Sequence, residues 1–295
     1  MAFDPAALKR SPHTYQTTAT ASRIKLDCQA IAEFDKKLEK QASLATTLII
    51  VGVAALFLSF LGSALLGNAV LLYVILPFAL GAIITGGVLN LQTQGLRIPD
   101  NRYQVVPELV DTLSRDMEEN AVLHLQLNCM PTTHKLKKLD TIPHPSRPGR
   151  RGWKIDRFQD NWLTLGGAFV DGTNFSLAVI ERAIAKYGWK RSRSGKRKFK
   201  RKEKSKGVEL SLDLHFPRKR YGAIQILQQE VSQAIQLPPQ VHLKRLKISD
   251  RSFFLSIQAP PEFVKSHALK QLVTQLLLNA YHVLNLAKQL SKRTS

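Results

Sequence analysis

The sequence predicts an α+β protein, with a two-helix transmembrane hairpin followed by a cytoplasmic domain of mainly antiparallel sheet and flanking helices. Three observations predict it. Gln41 to Leu96 is a run of 56 residues without one Asp, Glu, Lys, Arg or His. Alternating apolar and polar residues recur after it, most cleanly from Val208 to Phe216. The formal charge of +21, from 43 Lys and Arg against 22 Asp and Glu, falls almost wholly beyond residue 96.

The average composition of this 295-residue chain is globular, with 44% apolar and 22% charged residues. Two cysteines, Cys28 and Cys129, exclude a disulfide scaffold and a four-cysteine zinc site. Residues 1–40 read as a cytoplasmic N-terminal segment. Its first twenty residues, rich in Thr, Ser, Pro and Ala, are expected to be loose. From about Arg23, Ile24, Ile31, Phe34 and Leu38 share one face of an amphipathic helix that runs on toward the apolar stretch.

The stretch 41–96 holds two spans of about 20 residues, near 44–64 and 69–89. Gly62, Gly67 and Asn68 supply the turn between them. A soluble core helix keeps a polar face; Leu48 to Val51 and Val53 to Leu58 leave none. Some 40 polar residues come first, which excludes a cleaved signal peptide. Pro77 is expected to kink the second helix. Ala55, Ser59 and Ser63, at four-residue spacing, form a candidate helix–helix partner surface, as do Ala82 and Gly86. Neither span carries an ionisable group, so a proton or ion path through the hairpin is not expected. Lys36, Lys37 and Lys40 precede it and Arg97 and Arg102 follow it, which places both termini in the cytoplasm.

Residues 97–295 suffice for one basic α+β domain. A helix is expected over Val106 to Asn120 and a strand over Leu123 to Cys129. Pro131 to Gly152 reads as a Pro- and Lys-rich loop. Strands follow over Trp153 to Phe158 and Trp162 to Val170, with Asp171-Gly172 as a hairpin turn. Phe175 to Ala185 is ambiguous between helix and strand. Beyond Val208 to Phe216, a helix is expected over Arg220 to Leu237, and strands over Val241 to Ile248 and Ser252 to Ile257. A long helix over Pro261 to Leu290 closes the chain, its apolar stripe (Leu269 to Ala287) read as packed on its own domain rather than on a bilayer.

The search for catalytic and cofactor motifs returns little. Gly166, Gly167 and Gly172 have the wrong spacing for a phosphate loop, and Gly195-Lys196 is followed by Arg197 where Ser or Thr is needed. The eight histidines, His13 among them, show no zinc pair, and His124 and His215 fall on the outward side of strands. Cys129 reads as a small core residue. Asp156 and Asp160, beside Lys154 and Arg157, read as ordinary surface ion pairs. No catalytic residue, metal ligand or cofactor is assigned.

The second strong signal is a Lys/Arg-rich loop over residues 190–206. It carries Lys190, Arg191, Arg193, Lys196, Arg197, Lys198, Lys200, Arg201, Lys202, Lys204 and Lys206 against the single acid Glu203. Between two strands it is a long hairpin tip or a flexible loop. Trp189 and Phe199 are its candidate apolar contacts. Three readings stand: a solvated loop, attraction to anionic lipid headgroups, or a polyanionic partner, either nucleic acid or an acidic protein surface. The sequence therefore points to an integral membrane protein that binds or scaffolds. The alternatives are a membrane-tethered nucleic-acid-binding protein, a subunit of a larger membrane complex, or, less well supported, a membrane-bound enzyme.

Overall fold

The computed structural model describes residues 14–66, 70–93, 98–144, 152–192, 194–222, 224, 231 and 235–294. It is α+β, with a long N-terminal helix, a second apolar helix and an eight-stranded antiparallel sheet. The chain divides into two compact units, Met1–Arg10 with Gln29–Ile98, and Ser11–Cys28 with Pro99–Ser295.

In the first unit, helix α1 (Ala21–Leu66) begins in the sheet unit and continues through the apolar stretch, and α2 (Val70–Thr93) follows. Both are long and apolar enough to cross a membrane. The amphipathic segment and the first expected span are one helix. Gly62, expected in the turn, lies inside α1, where a single glycine costs only about 1 kcal/mol. Gly67 and Asn68 lie outside the described residues. Pro77 sits within α2.

The two helices meet through small residues seven apart, not four. Ala45, Gly52 and Ser59 of α1 are buried, as are Ala79, Gly86 and Thr93 of α2. A Cβ added at Gly86 would stand 2.7 Å from the Ala45 carbonyl oxygen, and one at Gly52 would stand 2.8 Å from that of Ala79. The backbones therefore touch, as in small-residue helix seams. Of the expected surface, Ser59 lies in this seam, whereas Ala55 and Ser63 are half-buried beside it. The opposite surfaces expose large apolar side chains, among them Phe57, Leu58, Phe60, Phe78 and Ile84.

The sheet unit starts earlier than composition suggests. Thr14–Thr20, expected to be loose, is strand β1, paired with β2 (Val122–Asn128) from Thr14↔Asn128 to Thr20↔Val122. Its Thr and Tyr side chains suit a pleated surface. Helix α3 (Asp100–Leu113) precedes β2. Part of the expected Pro131–Gly152 loop is strand β3 (Lys138–Pro143) on β4 (Lys154–Ala168). Cross-strand polar pairs hold it there: Arg157 with Asp140, and the Thr141 hydroxyl donating to Asp156 at 2.6 Å. Residues 145–151 lie outside the described ones.

Strands β5 (Asn174–Arg191) and β6 (Arg197–His215) form the long centre of the sheet, which resolves the ambiguous 175–185 segment as strand. A single helical turn, α4 (Arg218–Tyr221), follows. Most of the expected 220–237 helix lies outside the described residues. Strands β7 (His242–Ile248) and β8 (Ser252–Ala259) and helix α5 (Ser266–Thr294) complete the unit. The order is β1-β2-β4-β5-β6-β8-β7, with β3 also on β4.

Period-two alternation sorts the sheet's faces. Leu123, Leu125 and Leu127, Leu163 and Leu165, Leu177 and Val179, Leu210 to Leu214, and Phe253 to Ile257 bury one face. The apolar stripes of α3 (Val106, Leu109, Val110, Leu113) and α5 (Leu269 to Ala287) are buried with it. His124, Gln126, Ser176 and His215 stand exposed on the other face.

Candidate functional site

Of the two readings of the basic run, the long hairpin tip holds and the flexible loop does not: it is the free end of a β-ribbon. β4 begins opposite Tyr187, and β8 reaches only Val208 of β6. Gly188–Arg191 and Arg197–Lys200 therefore pair only with each other. Four residues at roughly 3.4 Å each carry this arm some 14 Å past the first residue of β4. The turn is closed by Ser192 N–H donating to the Lys196 carbonyl at 2.8 Å, and Gly195 takes a positive φ of 77°. Arg193 lies outside the described residues; the other ten basic side chains are exposed.

Directly opposite residues share a face, and the register sorts the arm by chemistry. Lys186↔Lys202, Gly188↔Lys200, Lys190↔Lys198 and Ile184↔Lys204 give one face six lysines. Tyr187↔Arg201, Trp189↔Phe199 and Arg191↔Arg197 give the other three aromatics and three arginines. Trp189 and Phe199 are 61% and 54% exposed, unusual for rings of that size. They meet edge to face with centroids 5.7 Å apart, and Tyr187 lies 6.1 Å from Phe199 on the other side. The result is an apolar ridge rimmed by guanidinium groups.

Like charges directly opposite destabilise a ladder, and among the described arm cations only Arg201 has an ion-pair partner, Glu203. The aromatic cross-strand contacts and the arm's root offset that repulsion. Trp153 lies against Gly188, where an added Cβ would stand 2.6 Å from its ring, and its Nε1–H donates to the Trp189 carbonyl at 2.9 Å. The Tyr187 hydroxyl donates to Asp156 at 3.2 Å. Burial raises the Asp156 carboxyl, but hydrogen bonds from Thr141 and Lys138, the Lys138 charge and the Tyr187 hydroxyl outweigh this and hold it below the usual carboxylate range. A bulge at the arm's base sets its direction: the register shifts between Arg182 and Ala183, opposite Gly207 at φ 110°.

Asp156 and Asp160 are not surface ion pairs; both are buried. Asp160 accepts from Arg102, and Lys137 Nζ stands 2.8 Å from its other oxygen. Arg102 also donates to the Asn128 and Met130 carbonyls and to Thr132, and its guanidinium lies 5.6 Å from the Trp162 ring centroid. Burial chiefly, then the Arg102 charge, push the Lys137 ammonium down to about 8 against the pull of Asp160. This cluster ties α3 to the loop after β2 and to β4. It is built from sequence positions too far apart to be read together, and none of its three members is exposed.

Period-two lysine spacing over Lys198, Lys200, Lys202 and Lys204 is the signal that carries the two-faced arm in the sequence. Counting charge alone hides it; Tyr187, the third ring, stands two residues before Trp189 in the sequence. Among the described residues no three His, Cys, Asp or Glu side chains group as metal ligands. Comparison with family models, with curated proteins and with solved structures finds no match to this chain.

Proposed function

We propose that this chain is an integral membrane protein, anchored by α1 and α2 with both termini cytoplasmic. Its sheet domain is then a non-enzymatic binding module whose β5–β6 arm engages an anionic lipid surface. The anchor rests on the uncharged 56-residue stretch and on the large apolar side chains left exposed around both helices. The flanking lysines and arginines set the orientation.

One observation carries the choice of partner: the ridge of Tyr187, Trp189 and Phe199 rimmed by Arg191, Arg197 and Arg201. Aromatic rings beside cationic groups partition to the headgroup layer of a bilayer. Each basic residue close to an anionic leaflet contributes about 1 kcal/mol, within a Debye length of about 8 Å. A single-stranded nucleic acid would stack on the same exposed rings, and the RNA titration below separates the two partners.

The test uses the full-length protein in neutral-lipid nanodiscs, titrated with phosphatidylserine vesicles and with single-stranded RNA across a salt series. A second protein carries Gln at all eleven basic positions from Lys190 to Lys206. Vesicle binding that weakens with salt and disappears in the Gln protein supports the reading. RNA binding without vesicle binding replaces lipid by nucleic acid, and binding of neither overturns the electrostatic account.

A further inference from the structure

At the opposite end of β5 from the arm, a cavity of about 560 Å³ opens between the β4–β5 turn, α3, α4 and α5. That volume lies within the range of small-molecule sites. Asp171 organises it. Its carboxylate accepts hydrogen bonds from the hydroxyls of Tyr221 and Tyr281, the latter at 3.1 Å, and from Thr173 N–H at 2.8 Å. Its carbonyl accepts from Arg220 Nη1 at 3.2 Å. Burial raises the Asp171 carboxyl, yet these hydrogen bonds together bring it below the usual range, and Tyr221 is pushed up to about 12 by burial and by Asp171. The carboxylate is satisfied from within. Its role is to fix two tyrosines and an arginine from separate elements around one space.

What remains for a ligand is an apolar wall and a cationic rim. Leu113, Phe169 and Leu277 line the interior, and Leu278 is 66% exposed at its edge. Arg115 and Arg220 both line the opening, and Arg115 has no side-chain partner among the described residues. Asp116 and Asp171, also in the lining, balance the two guanidinium charges in number. The Asp171 carboxylate is already taken up by Tyr221, Tyr281 and Thr173 N–H, which leaves the Arg115 donors open to one carboxylate.

We infer that this cavity binds a small amphipathic carboxylate. Its acid group is held by Arg115 and Arg220, and its apolar ring or short chain lies against Phe169, Leu277 and Leu278. Guanidinium pairs a carboxylate through two parallel hydrogen bonds, which fixes orientation as well as charge.

The probe is 1-naphthoate, measured by equilibrium dialysis against full-length protein in neutral-lipid nanodiscs, with empty discs as the blank. The host carries the eleven arm residues as Gln, so that the arm contributes no anion binding. Saturable uptake of one equivalent is expected, at least tenfold weaker for uncharged 1-naphthamide. Arg115→Ala, at an exposed position, weakens uptake at least tenfold, and Leu278→Trp, which fills the mouth, abolishes it, with circular dichroism unchanged in both. Absence of saturable uptake, or uptake unaltered by both substitutions, overturns the inference, whatever the arm does.

Discussion

Trp189 and Phe199 stand directly opposite each other on the arm, edge to face at 5.7 Å, and both remain more than half exposed. Exposed rings at the tip of a ribbon contribute to binding through apolar area, whereas the lysines contribute through charge, so the two are separable by salt. Trp189→Ala with Phe199→Ala is expected to weaken binding to phosphatidylserine vesicles on the order of 100-fold, at about 1.5 kcal/mol per partly inserted ring, while leaving the salt slope unchanged. Lys-to-Gln changes on the other face flatten the slope instead. Vesicle co-sedimentation of the reconstituted protein over a salt series reads both.

The buried Arg102–Asp160–Lys137 cluster makes a stability prediction. Removing one partner leaves a buried charge uncompensated, at about 3–5 kcal/mol. Arg102→Met, which leaves Asp160 with Lys137 as its remaining cation and takes a donor from the Asn128 and Met130 carbonyls, is expected to reach the low end of that range in chemical denaturation of the sheet domain. Lys137→Met, which leaves Arg102 on Asp160, costs less.

Its pH dependence has a definite sign. The Lys137 ammonium is pushed down to about 8 from an ordinary 10.5. Between those values the unfolded chain binds the extra proton, so the contribution of this group to stability rises with pH. Cys28 acts oppositely: burial first, then the Asp27 and Cys129 charges, raise its thiol to about 12 from 9.0, so stability falls above pH 9 as the unfolded thiol ionises. Unfolding free energy from urea titrations is expected to climb from about pH 8 to about 9, to level while the two contributions cancel, and to fall above about pH 10.5. In Lys137→Met the climb vanishes and the fall at higher pH remains.

The helix seam predicts a contrast between glycines. A Cβ at Gly86 would meet the Ala45 carbonyl and the Ile49 side chain, whereas Gly81 and Gly87 have open space. Gly86→Ala is expected to destabilise the α1–α2 hairpin by about 1–3 kcal/mol, the usual cost of overpacking. Gly81→Ala and Gly87→Ala are neutral or slightly stabilising. Thermal aggregation of the detergent-solubilised protein distinguishes them.

Gly207 predicts where the arm is vulnerable. It holds φ 110°, and an added Cβ would run into the Ala259 carbonyl. Gly207→Ala is expected to disturb the β6–β8 pairing at the arm's base, raising amide exchange over Val208 to Leu210 before any global loss of structure.

Much of this fold is legible in the sequence, because burial leaves a period. Period-two alternation is plain in Val208, Leu210, Leu212 and Leu214, and the α5 stripe from Leu269 to Ala287 is buried as its spacing predicts. What the sequence hides is long-range or one-sided. Arg102 and Asp160 are 58 positions apart, and neither neighbourhood announces the other. Asp171 is legible as a turn residue, but Tyr221 and Tyr281 join it only through tertiary packing. The seam of Ala45, Gly52 and Ser59 has a seven-residue period that the four-residue repeat of Ala55, Ser59 and Ser63 obscures. Thr14–Thr20 owes its strand to β2, since its own composition fits a loose segment equally well.

The most direct measurement is where the Trp189 indole resides when the full-length protein sits in a bilayer. Trp153 and Trp162 are buried and give a constant background, removed by subtracting the Trp189→Phe protein. With brominated phosphatidylserine in the disc, Trp189 emission is expected to be quenched and shielded from aqueous iodide. With brominated phosphatidylcholine alone the quenching falls and iodide regains access. Equal iodide access in both discs, with no bromine quenching in either, would contradict an arm that engages anionic lipid.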